Sequence, residues 1–328
     1  MDYQIMSADR VTAEWRDGKL HIVDEAHLPL FLKHFSDLDA WLETRAIDGH
    51  RANSRLLKKA LDEGIVEIQV HGYKDSDVEL ESELESRLGL KEAKVYADAH
   101  SSAYGAEVIR YVEECVPEGG KVGVTYGATL AQVCNVSMPP VQLGVDVLQL
   151  NGGVNFNDFS LKPDQITNKI AYYLGGRAYS LFMPALVRDP ALREMLTNEP
   201  QTAQMLEMFN NVDAALISIG MVDQSCVTRG GYLSQEELDG LQEKGAVGDV
   251  CVRFYDIHGN IVDKEFEQYT TGITTEQLKK IPVRIGVAYG EKKVVPILGA
   301  LRAGFINVLF TDVATARLLM EEAEKEEA

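Results

Sequence analysis

The sequence predicts an α/β protein in which a doubly wound, mostly parallel sheet follows a small N-terminal module. Two observations predict this fold class. From residue 121 onwards, short apolar runs alternate with segments of helical periodicity, as in parallel strands joined by helices. Several of these runs are apolar at every position, which is typical of strands covered on both faces. The length of 328 residues, with 45% hydrophobic and 25% charged residues, is sufficient for more than one globular domain.

Seven strands are predicted in the large domain, at residues 121–126, 145–150, 179–183, 214–220, 249–255, 282–288 and 306–310. The helical segments between them begin with recognisable caps. Ser234 and Glu237 have the spacing of a capping box, and Pro296 falls within the first turns of a helix that starts near Glu291. Because strands and helices alternate, a doubly wound sheet is the simplest architecture that buries these runs.

An acidic segment precedes this domain. Over residues 75–94 acidic and apolar residues alternate, and Gly89 provides a helix cap. The pattern predicts an amphipathic helix that connects two domains or contacts a second copy of the chain. We therefore expect a helix-turn-helix-like module at 1–72, a linker or dimer-contact helix at 73–98, and the large α/β domain at 99–328.

The first 72 residues have a different pattern. In order, they predict a strand, a hairpin that turns at Asp17-Gly18, two helices separated by a glycine-containing turn, and a final strand: 1–7, 11–25, 36–42, 51–61 and 65–70. Two helices joined by a short turn are typical of a helix-turn-helix. The final strand could form a wing beside it.

The second helix of this pair carries side chains that can contact DNA. Leu57 and Leu61 are spaced to pack against the first helix. The outer face of the second helix therefore carries side chains of the types that contact bases and phosphates in DNA. These are Arg51, Asn53, Ser54, Arg55, Lys58 and Lys59. The module as a whole has nine Lys and Arg against thirteen Asp and Glu, so only this cluster is locally basic. The net charge of −19 excludes a protein that coats nucleic acid with its whole surface.

Several functional classes are disfavoured by what the sequence lacks. The apolar runs are far shorter than the roughly 20 residues of a membrane span. The N-terminus lacks the basic-then-apolar order of a secretory signal, so we expect a cytoplasmic protein with no membrane partner. The four cysteines and seven histidines show no metal-ligand spacing. We therefore expect buried free thiols, no metal and no cofactor.

Two predicted strands end in polar turns that contain glycine. The residues concerned are Thr125, Gly127, Thr129, Asn151, Gly152 and Gly153. A glycine turn between a strand and a helix can bind phosphate through its backbone N–H groups, although tight turns also use glycine and threonine for structural reasons alone. Ligands of open α/β sheets bind at the carboxyl ends of strands, so the two turns predict one crevice.

Eight segments of the sequence resemble the SorC family of bacterial transcriptional regulators. They follow the family's order over residues 50–320: SRLLKKA (54–60), EGIV (63–66), GVTYGATL (123–130), QLNGGV (149–154), GGYLS (230–234), GAVGDV (245–250), RIGVAYG (284–290) and INVLFTD (306–312). The resemblance implies an N-terminal helix-turn-helix joined to an effector domain with a sugar-phosphate isomerase-like fold. Before residue 50 the sequence departs from the pattern, because strand-like segments stand where the family has its first DNA-binding helix.

The resemblance also implies a ligand and two residues that bind it. Asp249 and Lys293 match effector-binding positions, where the carboxylate accepts hydrogen bonds from sugar hydroxyls and the ammonium contacts phosphate or hydroxyl oxygen. Apart from the resemblance, such an aspartate could equally cap a loop, and such a lysine could be a solvated surface charge. Asn151 stands where some relatives carry arginine, which indicates a ligand less anionic than a bisphosphate.

The leading hypothesis is a transcriptional regulator of carbohydrate metabolism, active as a homodimer or homotetramer. A phosphorylated sugar or polyol would modulate its affinity for operator DNA. One alternative is a sugar-phosphate isomerase- or deaminase-like enzyme with Asp249 as its base. The matched motifs contain no second acid or base, so we expect no enzymatic activity. The other alternative is a sugar-phosphate sensor that acts through a protein partner without binding DNA.

Overall fold

The computed structural model describes the backbone of residues 3–7, 10–16 and 19–22, and residues 77–136, 138–155 and 162–327. The chain divides into two compact units, residues 1–75 and 76–328. The six DNA-contact candidates, both helices of the predicted helix-turn-helix and the final strand of the module lie outside the described residues.

The smaller unit contains a three-stranded antiparallel sheet. Its strands are β1 (Tyr3–Ser7), β2 (Arg10–Arg16) and β3 (Lys19–Ile22), in that order across the sheet. Arg16 pairs with Lys19 on either side of the turn, which confirms the predicted hairpin.

The larger unit is built on a seven-stranded sheet in which all neighbouring strands are parallel. Across the sheet the strands are β4 (Glu92–Tyr96), β13 (Val308–Asp312), β12 (Val283–Val287), β8 (Ala214–Ser218), β5 (Lys121–Val124), β6 (Asp146–Gln149) and β7 (Arg177–Tyr179). Strand numbers follow the chain, so after the edge strand β4 the chain winds outwards from the centre twice, first through β5, β6 and β7 and then in the other direction through β8, β12 and β13. The predicted fold class is confirmed.

Helices of the larger unit cover the sheet. They are α1 (Val78–Leu88), α2 (Ser102–Cys115), α3 (Ala128–Val133), α4 (Pro163–Tyr173), α5 (Pro190–Asn198), α6 (Pro200–Met208), α7 (Cys226–Arg229), α8 (Gln235–Glu243), α9 (Lys264–Glu267), α10 (Thr275–Lys280), α11 (Val294–Arg302) and α12 (Val313–Glu327). The capping box of Ser234 and Glu237 is present at the start of α8. A 3₁₀ turn over Glu291–Lys293 leads into α11, whose first turn contains Pro296, as predicted.

Two apolar clusters form the core, one on each face of the sheet. Side chains alternate between the faces along each strand, so Leu216 packs in one cluster while its neighbours Ala215 and Ile217 pack in the other. All three are fully buried. Burial on both faces explains why the central strands are continuously apolar in the sequence.

The prediction of a single strand over residues 249–255 is wrong. The structure has a hairpin of β10 (Gly248–Val250) and β11 (Arg253–Tyr255), which joins β9 (Gly220–Met221) in a separate antiparallel sheet. The turn residues Cys251 and Val252 have φ angles of 52° and 64°. Hairpin turns with two positive φ angles usually contain asparagine or glycine, so an apolar pair gives no sequence signal for this turn.

The acidic helix α1 packs against an edge of the large sheet. Its Glu81 accepts a hydrogen bond from the backbone N–H of Val95 at 2.8 Å, and Glu85 accepts one from Ala93 at 2.9 Å. Both N–H groups belong to the edge strand β4, which the sequence did not predict. The carboxylates therefore occupy donors that could otherwise pair with another chain. A dimer contact through α1 stays a prediction.

Replacement of Glu81 by alanine should destabilise the larger unit by about 1–3 kcal/mol, because the buried N–H of Val95 loses its acceptor. Burial disfavours the ionised carboxylate of Glu81 and raises its pKa, and the hydrogen bond from the Val95 N–H opposes this effect. The control is Glu83→Ala on the exposed face of the same helix, with an expected change within about 0.5 kcal/mol. Urea unfolding followed by circular dichroism measures both, and equal stabilities would contradict the assigned role.

Candidate ligand-binding crevice

A cavity of about 140 Å³ opens at the carboxyl ends of the central strands. Its lining comes from the turns that follow β5, β6 and β8, from the β10–β11 hairpin, from α7 and from the 3₁₀ turn before α11. Strands β5 and β8 are neighbours, but the chain leaves them in opposite directions across the sheet. The cavity therefore lies at the topological switch point, where doubly wound sheets bind their ligands.

Six of the eight predicted effector-binding residues line this cavity: Thr125, Gly127, Thr129, Asn151, Asp249 and Lys293. Gly152 and Gly153 lie beside it instead. A Cβ atom on Gly152 would lie 2.1 Å from Thr271 Oγ1, and the Gly152 carbonyl accepts a hydrogen bond from the Tyr126 hydroxyl at 2.6 Å. Glycine at 152 therefore permits close packing behind the cavity.

Asp249 is a buried carboxylate, with 7% of its surface exposed. Its Oδ2 atom accepts a hydrogen bond from the Val252 N–H at 3.2 Å, whereas no donor among the described residues reaches Oδ1. Oδ1 lies against Gly220, where a Cβ atom would be only 1.8 Å away. Burial raises the pKa of Asp249 to about 6, against the opposing effects of Lys293 and the Val252 N–H. The residue is the middle one of the short strand β10.

Lys293 brings the balancing positive charge into the cavity. It is the last residue of the 3₁₀ turn before α11, and its ammonium donates a hydrogen bond to the carbonyl of Ile219. Burial lowers the pKa of Lys293, while the nearby Asp249 carboxylate opposes this effect. Its ammonium is therefore held inside the crevice and is not a solvated surface charge.

Asn151 supplies a second oxygen acceptor without a partner. The residue follows β6 and is 3% exposed, and no donor among the described residues reaches its side-chain oxygen. An unsatisfied buried acceptor costs about 1–3 kcal/mol. Asn151 and Asp249 line the same cavity, so its wall contains two buried oxygen atoms that have no donor among the described residues.

Two threonines add hydroxyl groups at the start of α3. Thr125 Oγ1 accepts a hydrogen bond from the Ser218 N–H at 2.8 Å, which leaves the Thr125 hydroxyl proton available as a donor. Thr129 lies in the first turn of the helix. Since α3 has only six residues, attraction of an anion depends on nearby cationic side chains more than on the helix dipole.

Sequence reasoning missed several residues of the lining, notably Arg229, Ser218 and Gln224, and the cysteines Cys226 and Cys251. Arg229 is exposed and directly precedes the GGYLS motif, and Ser218 is the last residue of β8, within the predicted strand 214–220. The position of Ser218 near the end of a predicted strand could have identified it, whereas the position of Arg229 depends on the short helix α7, which the sequence did not predict. Burial raises the pKa of Cys226 to about 12, so this thiol stays protonated and forms part of the wall.

The part of the chain that the structure describes contains no cluster of three or more His, Cys, Asp or Glu side chains suited to a metal ion. None of its helices is long and apolar enough to cross a membrane. The four thiols are free.

The fold and the crevice together define a doubly wound α/β domain with a polar cavity at its topological switch point. Residues 74–321 match the family described as "Putative sugar-binding domain". The deoxyribonucleoside regulator of Bacillus subtilis is 34% identical over 280 residues, which cover 82% of this chain and 88% of that protein. The sorbitol operon regulator of Klebsiella pneumoniae is 30% identical over 281 residues, with the same coverage of each chain.

The crystal structure of the full-length sorbitol operon regulator SorC from Klebsiella pneumoniae is similar, with a TM-score of 0.69 at 27% identity. The similarity covers 90% of this chain and 97% of that one. The chain therefore belongs to the SorC family of sugar-binding transcriptional regulators, as its motifs predicted.

The raised pKa of Asp249 gives a pH dependence with a defined sign. Between the ordinary value of 3.8 and about 6 the folded protein binds more protons at this site than the unfolded chain. The free energy of unfolding should therefore fall as the pH rises through this range. Chemical denaturation should show this fall in the wild type and a flatter profile in Asp249→Asn. The control variant Asp239→Asn changes an exposed residue and should keep the wild-type slope. If Asp249→Asn also keeps the wild-type slope, the raised pKa of Asp249 is refuted.

Proposed function

We propose that the larger unit binds a phosphorylated sugar or polyol, and that binding changes the affinity of a homo-oligomer for operator DNA. The observation that carries this proposal is that Asp249 and Lys293 line one crevice. Two buried oxygen atoms of its lining, Asp249 Oδ1 and Asn151 Oδ1, have no donor among the described residues. Such a site stabilises a ligand that brings both hydroxyl groups and negative charge.

The hydroxyl groups would bind at the two acceptors. Asp249 Oδ1 and Asn151 Oδ1 each require a donor, and a polyol provides O–H groups on adjacent carbon atoms. Hydrogen bonds to an ionised carboxylate are roughly twice as strong as those between neutral groups. Ligand binding at Asp249 would therefore favour the ionised carboxylate and lower its pKa.

The phosphate would bind at the cationic side of the crevice. Lys293 and Arg229 provide two positive charges against the single carboxylate of Asp249, and Thr125 and Thr129 provide hydroxyl donors. Asn151 adds no charge. This balance supports a monophosphate over a bisphosphate.

The regulatory proposal rests on family membership and on linkage. Two relatives of this chain are named as a deoxyribonucleoside regulator and a sorbitol operon regulator, which supports binding without turnover of the ligand. If the ligand changes DNA affinity, DNA must change ligand affinity by the same factor. A cytoplasmic location agrees with this role.

A thermal-shift screen tests ligand binding. The panel contains pentose, hexose and hexitol monophosphates with their unphosphorylated parents, and at least one phosphate ester should stabilise the wild type. Lys293→Met and Asp249→Asn should each weaken its binding by about 10- to 100-fold, because hydrogen bonds to charged groups contribute about 1.5–3 kcal/mol. The control Lys292→Met removes an exposed neighbouring charge and should bind like the wild type.

Equal binding by all four proteins would refute the assigned site. Nuclear magnetic resonance on the same mixtures monitors turnover, and a product that depends on Asp249 would favour the isomerase-like alternative.

DNA binding should depend on the basic cluster predicted from the sequence. Arg55→Ala should cost about 1–3 kcal/mol on the operator if Arg55 contacts a base. Lys58→Ala and Lys59→Ala should weaken binding to all sequences alike and flatten its salt dependence. Gel-shift titrations against the upstream region at several salt concentrations measure both effects. Absence of salt-sensitive binding, with and without the ligand, would favour the alternative of a sensor that acts through a protein partner.

A further inference from the structure

The peptide group between Cys251 and Val252 contacts a charged side chain at each end. Its N–H, which belongs to Val252, donates to Asp249 Oδ2 at 3.2 Å. Its C=O, which belongs to Cys251, accepts a hydrogen bond from Arg253 Nη1 at 2.9 Å. A peptide group is planar, and in the trans form its C=O and N–H point in opposite directions. One rigid unit therefore connects the Arg253 guanidinium to the Asp249 carboxylate.

The backbone preferences of the turn do not fix the orientation of this peptide group. Cys251 and Val252 both have positive φ angles, the pattern of a type I′ turn, which favours asparagine followed by glycine. Rotation of the peptide group would give a type II′ turn, in which only the first residue has a positive φ and glycine is favoured there. Neither turn suits cysteine followed by valine. The contacts at its two ends therefore determine which way the N–H points.

Arg253 is a buried guanidinium on β11, with 4% of its surface exposed. Burial lowers the pKa of Arg253, and the Glu267 carboxylate, 3.4 Å from Nε, opposes this effect. Glu267 is the last residue of α9 and also accepts a hydrogen bond from the Thr275 hydroxyl at 2.6 Å. The planar guanidinium is thus anchored on one side by Glu267 and presents Nη1 to the turn on the other. Arg253 is not among the residues that line the crevice.

The direction of the peptide group determines how readily Asp249 ionises. The Val252 N–H favours the charged carboxylate and opposes the effect of burial on the pKa of Asp249. A reversed peptide group would place a carbonyl oxygen beside the carboxylate and disfavour its ionisation. Hydroxyl groups donate stronger hydrogen bonds to an ionised carboxylate than to a neutral carboxyl group. The contact at the Cys251 carbonyl therefore affects the acceptor on the other side of the turn.

We propose that Arg253 is a positioning residue of the crevice, which orients the 251–252 peptide group so that its N–H keeps Asp249 an ionised acceptor for hydroxyl groups. This inference rests on the acceptor role of Asp249 in the proposed function. It adds to the site a buried cation that lies outside the crevice. It also gives the strained turn a role, because the conformation that Val252 adopts is the one that directs its N–H to the carboxylate.

The test is the titration of Asp249 in the ligand-free, full-length chain. Carbon-13 NMR follows its carboxyl carbon, which is assigned as the signal that Asp249→Asn removes. Arg253→Met combined with Glu267→Gln removes both charges of the ion pair and leaves no unpaired charge buried. The titration midpoint of Asp249 should then rise by about one pH unit. Loss of the Glu267 charge alone would lower the pKa of Asp249, so it cannot produce this rise.

The matched control is Arg284→Met. Arg284 is a half-buried arginine of β12 that also donates to backbone carbonyl groups, those of Gly304 and Ile281. It lies near the amino end of its strand, away from the crevice, and its loss should leave the midpoint of Asp249 unchanged. None of these variants changes the charged and titratable groups that face Asp249: Lys293, Arg229, Tyr126, Tyr255, Cys226 and Cys251.

A rescue variant separates orientation of the peptide group from general loosening of the domain. Glycine adopts positive φ angles without steric cost, so in a Val252→Gly background the turn should keep its conformation without Arg253. Adding Arg253→Met and Glu267→Gln to that background should therefore move the midpoint by much less than in the wild type. A shift of the same size in both backgrounds overturns the proposal.

An unchanged midpoint in Arg253→Met/Glu267→Gln, or an equal rise in Arg284→Met, also overturns the proposal. The wild type provides a readout that needs no variant. The NMR signals of the Val252 N–H and of the Arg253 Nη–H groups should both change with the midpoint of Asp249, because hydrogen bonds in a chain polarise one another. An Arg253 signal that does not follow Asp249 overturns the proposal even if a variant fails to fold. If no phosphate ester binds in the thermal-shift screen, the proposed function fails, whereas these titrations still decide the role of Arg253.

Discussion

The buried carboxylate of Asp249 is the constraint on which the structure of the crevice depends. Removing an ionised group from water costs several kcal/mol unless nearby charges and donors compensate. Three separate segments provide that environment: Gly220 leaves room for Oδ1, the Val252 N–H donates to Oδ2, and Lys293 supplies the opposite charge. The compensation is incomplete, because Oδ1 has no donor among the described residues.

This constraint accounts for the small antiparallel sheet beside the large one. Strand β10 carries Asp249, and its neighbour β9 carries Gly220, whose lack of a side chain permits the close approach. The turn between β10 and β11 holds Val252 at a φ of 64°, which is unfavourable for a β-branched residue. The same turn directs the Val252 N–H towards the carboxylate, so local backbone strain coincides with a polar group of the site.

Sequence patterns predicted the strands of the large sheet well where burial on both faces makes them continuously apolar. They failed where burial is one-sided: β4 has alternating half-buried and buried residues within an acidic segment, so it gave no distinct signal. The residues that line the crevice were likewise predicted only in part. Thr125 and Asn151 could be predicted because strand ends converge at one edge of the sheet. Arg229 could not, because its position depends on how a short helix folds over the crevice.

The contact between Gly220 and Asp249 also limits how this protein can diverge. Any side chain at position 220 would overlap with the carboxylate at 249, so Gly220 cannot be replaced while Asp249 keeps its place in the crevice. Divergence of the crevice therefore has two routes. Either Gly220 and Asp249 stay and the surrounding residues vary, such as Asn151 and Arg229, or Asp249 changes first and thereby frees position 220 for a side chain.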